Sequence, residues 1–295
     1  MTIIDGKKIA EEIIAELKKS EPFDKLRARK FLAAVLVGED PSSLSFIKQK
    51  EKTAKELEVD FRIYKFPPNL KNDDLRDEVG KIANHKTCGG VIVQLPLPEH
   101  INRHYILNVI PREKDVDVLG ERALGAFYAG RNPVLPPAVG VVEAILHATS
   151  YMLHENKVAV VGHGLLVGKP IAIWLIDRTK ELYILHRNSD FSILKNADVI
   201  ISGAGEAGLL KPEMLKAGSG VIDFGYDMKD GKICGDFDAS KLNGSGSPEA
   251  EQVRYGAGKF QDLGFYTPTP GGTGPILVAK LFQNFYILTG SGEKV

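Results

Sequence analysis

Three glycines, Gly162, Gly164 and Gly168, follow directly on the apolar run KVAVV (157–161) and lead into a helical stretch. Glycines in that place let backbone come close to a pyrophosphate, whose charge is favoured by the free N–H groups of a helix N-terminus. The spacing GxGxxxG is one residue longer than the common dinucleotide fingerprint, and a tight turn without a ligand is the alternative reading. The order strand, glycines, helix, second strand is the context a dinucleotide site requires. The second strand ends in Leu185, His186, Arg187 and Asn188. An acid there would hold the ribose hydroxyls of NAD. Arg187 in its place offers a partner for the 2′-phosphate of NADP, unless it is only an exposed loop residue. Asp190, close by, keeps NAD open.

A second set of reactive side chains lies earlier in the chain. Lys48, Lys50, Lys52 and Lys55 fall on one predicted helix, which is usually a solvated face. Lys50 stands apart, four residues after Phe46 and three after Ile47, so it borders the apolar face. Partial burial there lowers an amine's pKa and makes it an acid or base near neutrality. Gln94 ends the apolar run GVIVQ, at the carboxyl end of a strand, where open α/β sheets bind ligands. Asp115 and Asp117 sit in REKDVD. A carboxylate can take an aminopyrimidine edge through two parallel hydrogen bonds; a helix cap or surface salt bridge is the plainer reading. No metal site is expected.

These side chains must be carried by regular elements. Residues 5–19 have helical spacing, with Asp5 as cap. Phe31–Val37 (FLAAVLV) reads as a buried strand. Ser42 or Ser43 caps a helix running to about Glu58. Asp60–Phe66 reads as a strand, Asp73–Asn84 as a helix and Gly90–Gln94 as a strand. After the proline-rich break NPVLPP (132–137), a helix is expected over Gly140–Thr149. Strands at 157–161, 181–185, 197–202 and 220–224 follow, with a helix from the glycine turn to about Ile176. The stretch 242–259 reads as an exposed loop, and a last helix covers Pro275–Leu288. Alternating strands and helices mean parallel sheets. The fold class is therefore two α/β domains around a cleft, the second a Rossmann-type dinucleotide-binding domain. The first domain spans 1–139 plus 273–295 and the second 140–272.

With 38 basic and 38 acidic side chains among 295 residues, no global field draws the chain to nucleic acid or an anionic membrane. Cys88 and Cys234 make no disulfide framework. The start, MTIIDGKKIAEE, has no apolar h-region, and the apolar windows are broken well before a membrane span. A cytoplasmic protein is expected.

Taken together, IIDGKKIA, VGEDPSS, VIVQLPLP, KDVD, VVGHGLLVGKP, VIDFGYD, GKICGDFD and TPTPGGTGP resemble the bifunctional methylenetetrahydrofolate dehydrogenase/methenyltetrahydrofolate cyclohydrolases over almost the whole chain. QLPLP and PTPGGTGP are the specific motifs. The resemblance implies an NADP (or NAD) enzyme of one-carbon metabolism, feeding purine biosynthesis, that acts on tetrahydrofolate derivatives as a homodimer. It implies that Lys50 is the catalytic lysine, Gln94 its tuning partner and Asp117 the carboxylate that holds the pterin. Phe46, Val93, Leu95, Pro270, Gly271, Gly272, Gly274 and Pro275 would line the folate side. Gly162, His163, Gly164, Arg187 and Tyr226 would line the cofactor. Four departures stand out: Phe46 replaces the usual tyrosine, Val118 the glycine of KDVDG, LPPA the usual PCTP block, and His163–Gly164 the usual arginine–serine pair. A valine at 118 implies that the local backbone differs or avoids positive φ. The lost tyrosine hydroxyl bears on the hydrolytic step more than on the oxidation. A dehydrogenase alone, a folate-binding paralogue without turnover, and another nicotinamide dehydrogenase are the alternatives; the last lacks a basic clamp for a carboxylate.

Overall fold

The computed structural model describes residues 1–19, 30–229, 232–242 and 263–290. In chain order its elements are β1 (Thr2–Ile3), α1 (Gly6–Lys19), β2 (Phe31–Val37), α2 (Pro41–Glu56), β3 (Asp60–Phe66), α3 (Asn72–Asn84), β4 (Cys88–Val93), α4 (Arg103–Leu107), α5 (Glu121–Tyr128), α6 (Pro137–Ala148), β5 (Lys157–Val161), α7 (Gly168–Leu175), β6 (Glu181–Leu185), β7 (Val199–Ser202), β8 (Gly220–Asp223), β9 (Asp227–Lys229), β10 (Lys232–Cys234), β11 (Phe265–Tyr266) and α8 (Thr273–Leu288). The stretch 242–259, expected as a loop, lies outside the described residues beyond Leu242.

The chain forms two compact units, Ala10–Gly140 with the chain from Leu277, and Met1–Ile9 with Val141–Ile276. Residues 1–9 therefore do not join the unit that follows them in sequence. Thr2 and Ile3 pair in parallel with Phe265 and Tyr266. Gly6 lies so close to the 271–272 backbone that a Cβ on it would fall 1.7 Å from the Gly272 carbonyl oxygen.

The unit containing Lys50 is built on a parallel sheet ordered β3-β2-β4. Every residue of β2 is buried, as a continuous apolar run between two neighbouring strands requires. α2 starts at Pro41, so its cap is Asp40, which accepts the Ser43 N–H at 2.8 Å, and not Ser42 or Ser43. Proline suits the first helical position because its missing N–H is one the helix leaves unpaired anyway. The helix stops at Glu56, short of Glu58, whose φ of 55° cannot continue it. α8 packs on β4 through Gly89 and Gly90, where an added Cβ would meet the Phe285 ring at 3.0 Å in each case.

The other unit holds a six-stranded sheet ordered β1-β11-β8-β7-β5-β6, parallel throughout. From β5 the chain goes first to β6 on one side and then to β7 on the other. The turn after β5 is thus the topological switch point, the place where such sheets bind ligands. β9 and β10 form a small antiparallel hairpin. α6 begins at Pro137, three residues before the expected start, because the last proline of the break serves as its first residue.

Candidate active site

α2 buries Ser43, Ile47, Lys50 and Ala54, a single stripe at helical spacing. Lys50 therefore lies inside the buried stripe and not on its border; Phe46, one turn earlier, is half-buried. Lys50 is 7% exposed, and its Nζ donates to Oε1 of Gln94 at 2.9 Å. Gln94 follows β4 directly, and its backbone N–H donates to the Val35 carbonyl at 2.9 Å, which extends the β2–β4 ladder. Its Nε2 donates to the Leu95 carbonyl at 2.8 Å, leaving Oε1 for the lysine. Val93, before it, is buried and Leu95, after it, half-buried. Burial pushes the Lys50 amine down from its ordinary value, and the nearby Asp117 carboxylate opposes this. Burial likewise pushes the Asp117 carboxyl up, against the charge of Lys50.

Asp115 and Asp117 differ in what they touch. Asp115 is 2% exposed, and its Oδ2 accepts the N–H groups of Leu119 at 3.0 Å and Gly120 at 2.8 Å, ahead of α5. Its backbone bridges to Val91 of β4. Val116 is fixed from α8, where the buried Asn284 donates its amide to the Val116 and Leu135 carbonyls, both at 2.8 Å. Val118 corrects the sequence reading: it keeps the left-handed backbone, at φ 55°, although it is not glycine. It is fully buried. A β-branched residue in that region carries strain on the order of 1–3 kcal/mol, so the turn persists only because its surroundings over-determine it.

The glycine turn of the other unit divides by role. Gly162 has φ 85°, and a Cβ on it would fall 2.7 Å from the Gly203 carbonyl oxygen. A Cβ on Gly168 would fall 1.8 Å from the Gly162 carbonyl oxygen. These two are demanded by the protein's own backbone. Among the described residues no atom lies within 4 Å of a Cβ on Gly164, so none of them asks for glycine there. α7 starts behind it without a side-chain cap. An open glycine before uncapped helix N–H groups fits a pyrophosphate, whose approach a side chain would block. His163 and His186 meet edge to face at 5.6 Å between ring centroids, and Arg187 beside them is exposed. Asp190 caps the 3₁₀ turn Phe191–Asn196, accepting the N–H of Ser192 at 2.9 Å and its hydroxyl at 2.8 Å. That carboxylate is engaged in its own turn. Tyr226 follows β8 and is exposed. Gly271, at φ 104°, and its neighbours Pro270, Gly272, Gly274 and Pro275 also belong to this unit, not to the one holding Lys50.

Sequence reasoning missed a buried carboxylate pair here. Asp223 accepts the N–H groups of Gly225 at 2.6 Å and Phe237 at 2.9 Å. Asp236 accepts the Ser202 hydroxyl at 2.6 Å and the N–H groups of Ala204 at 2.7 Å and Glu206 at 2.8 Å. Together they tie down the turns after β7 and β8. The signal available was an acid inside each apolar motif, VIDFG and GDFD. Burial pushes Asp115 and Asp223 up to about 7. An unfolded chain releases those protons near pH 3.8, so between about 4 and 7 the folded state binds more protons than the unfolded. Stability from these two groups is therefore greatest below that window and falls as pH rises through it. Urea unfolding of the wild type and Asp115→Asn across this window is expected to show a stability difference that changes with pH; a flat difference would contradict it.

Among the described residues no group of three His, Cys, Asp or Glu is placed to hold a metal. His100 and His104 have the four-residue spacing of a helical ligand pair, but His100 lies before α4 and its Nε2 bonds the Leu70 carbonyl at 3.0 Å.

A parallel sheet with an open glycine turn at its switch point is the architecture of a dinucleotide-binding α/β protein, and the other α/β unit buries a lysine against a glutamine. The comparisons narrow this. Residues 4–117 match the catalytic domain, and residues 136–291 the NAD(P)-binding domain, of the tetrahydrofolate dehydrogenase/cyclohydrolase family. The chain belongs to that family. It is 35% identical over 289 residues to the bifunctional protein FolD of Halothermothrix orenii, covering 96% of this chain and 95% of that one. The crystal structure of the Campylobacter jejuni bifunctional FolD enzyme is similar at TM-score 0.86 and 30% identity, covering 98% of this chain and 99% of that one. The Trypanosoma brucei enzyme, solved with NADP and an inhibitor, is similar at TM-score 0.85 and 25% identity, covering 98% and 97%.

Proposed function

We infer that this protein oxidises 5,10-methylenetetrahydrofolate to the methenyl form with NADP, and hydrolyses that product to 10-formyltetrahydrofolate. Beside the family membership, the observation that carries this reading is the buried Lys50 amine, held by Gln94 and adjacent to Asp117. Asp117 holds the pterin through its carboxylate, while Phe46, Val93 and Leu95 border it with apolar surface. Pro270, Gly271, Gly272, Gly274 and Pro275 supply backbone on the folate side. Gly162, His163, Gly164, Arg187 and Tyr226 hold the dinucleotide, with Arg187 and the two histidines taking the 2′-phosphate. Bound there, the nicotinamide supplies the hydride acceptor. The chain's part in that step is proximity and orientation.

In the second step water adds to the methenyl carbon, its proton leaves, and the carbon–N5 bond opens. Burial lowers the Lys50 pKa and so favours the neutral amine, which can take that proton and return one to N5. Gln94 accepts one N–H of the amine, which aims the nitrogen lone pair. With phenylalanine at 46, no tyrosine hydroxyl assists, so Lys50 and Gln94 carry the proton transfer themselves.

The same reading makes the enzyme a cytoplasmic homodimer of one-carbon metabolism, supplying purine biosynthesis. β6 lies at the edge of the six-stranded sheet with Ile184 exposed, and Ile176 after α7 is exposed too. An edge strand with apolar side chains is a template for pairing with a second chain. No described helix is long and apolar enough to cross a membrane.

The test is cofactor reduction by the purified protein with 5,10-methylenetetrahydrofolate, run with NADP and with NAD, followed by acid quench to separate methenyl from 10-formyl product. NADP reduction with 10-formyl product is the expected result. Methenyl accumulating to the uncatalysed limit would leave a dehydrogenase alone, and no reduction from folded protein would overturn the reading.

A further inference from the structure

We propose that Asp115 is a positioning residue for folate binding: its carboxylate clamps the turn 115–120 so that Val118 is held in the left-handed region and Asp117 is presented beside Lys50. The inference rests on the reading that Asp117 binds the folate, and extends it to a residue that does not touch the ligand.

The turn is fastened at both ends. Its first residue is joined to β4 through the Asp115–Val91 bridge. Its far end is gathered by the Asp115 side chain, whose Oδ2 accepts from Leu119 at 3.0 Å and Gly120 at 2.8 Å, with Oδ1 3.3 Å from the same Leu119 nitrogen. The Val118 N–H closes back on the Asp115 carbonyl at 3.3 Å. Asp117 therefore lies between two points set by one residue. Gly120 protects the arrangement, since a Cβ there would sit 3.1 Å from Asp115 Oδ2 and 3.2 Å from the Leu107 carbonyl oxygen.

Val118 makes the clamp necessary. Glycine would hold φ 55° without help, whereas a β-branched residue leaves that region when released. Relaxation of Val118 turns the preceding peptide and carries Asp117 away from Lys50. An asparagine at 115 can offer one oxygen to both donors but without the carboxylate charge, and its NH₂ then faces the Leu119 N–H in place of Oδ1, so the clamp is weakened. The clamp and the strained residue should thus be coupled, which a double-mutant cycle measures.

The experiment is steady-state kinetics of full-length Asp115→Asn, Val118→Gly, the double variant, Gly120→Ala and Asp117→Asn, with KM read separately for folate and NADP. Asp115→Asn is expected to raise the folate KM roughly tenfold to a hundredfold, the size of one lost hydrogen bond to a charged group. The NADP KM should stay within about twofold, since that site is built on other elements. The double variant should recover most of the loss, because glycine keeps the turn without the clamp. Gly120→Ala crowds the carboxylate without deleting it; it should reproduce the effect in weaker form, and it decides the matter if Asp115→Asn fails to fold. Equal rises in both KM values, or no recovery in the double variant, would make Asp115 merely structural and overturn the proposal. If Asp117→Asn leaves the folate KM unchanged, the reading of Asp117 itself falls; if only Asp117→Asn raises it, that reading stands and the clamp falls.

Discussion

Lys50→Met is expected to slow hydrolysis of the methenyl product by about 10²- to 10⁴-fold, the usual worth of a positioned acid or base. Oxidation of the methylene substrate should change by roughly tenfold or less, because a hydride leaves without a proton for the protein to move. Methionine has nearly the length and volume of the lysine stem, so the stripe of Ser43, Ile47 and Ala54 keeps its packing. One buried acceptor, Gln94 Oε1, loses its donor, at a cost of about 1–3 kcal/mol. The desolvated amine is removed at the same time, which offsets part of that cost. The variant should therefore fold, and its defect should be chemical. Supplying methenyltetrahydrofolate directly and following its disappearance isolates the step. Hydrolysis at the wild-type rate would remove Lys50 from the mechanism, and equal losses in both steps would point to a binding role.

Gly168→Ala and Gly164→Ala are expected to fail in opposite ways. The new Cβ at 168 falls 1.8 Å from the Gly162 carbonyl oxygen and 2.7 Å from its carbon. Both are backbone atoms, so the turn after β5 and the start of α7 must separate. Overpacking of this kind costs about 3 kcal/mol or more and is expected to lower the melting temperature visibly. At 164 the Cβ meets nothing within 4 Å among the described residues, so stability should stay within about 0.5 kcal/mol of wild type. A methyl group there stands where a pyrophosphate would approach the helix N–H groups, so the NADP KM should rise severalfold while the melting temperature holds. Unchanged NADP affinity in Gly164→Ala would show that the dinucleotide does not lie over this turn.

Much of this protein is legible in one dimension because its signals are local. FLAAVLV, KVAVV and the run at 181–185 become strands with the expected bounds, since an apolar run closed by polar residues and turns has few other ways to hide its side chains. The glycine turn is legible for the same reason: strand, glycines and helix are consecutive. Helix starts are less legible, as at Pro41 and Pro137, because proline reads as a break although it also begins helices.

Other features depend on residues far apart in sequence, and only the tertiary structure decides them. The spacing of Lys50 suggested a border position; the packing of α2 put it in the buried stripe, against a glutamine 44 residues away. A valine at 118 argues by itself against a positive φ; a buried carboxylate at 115, with an amide from α8, keeps it there. The first nine residues looked like part of the segment that follows them, yet a two-residue pairing with β11 takes them into the other sheet. Local patterns state what each segment can be. Burial, backbone strain and long-range pairing arise only when segments meet, and they decide which lysine loses its water and which turn is held against its own preference.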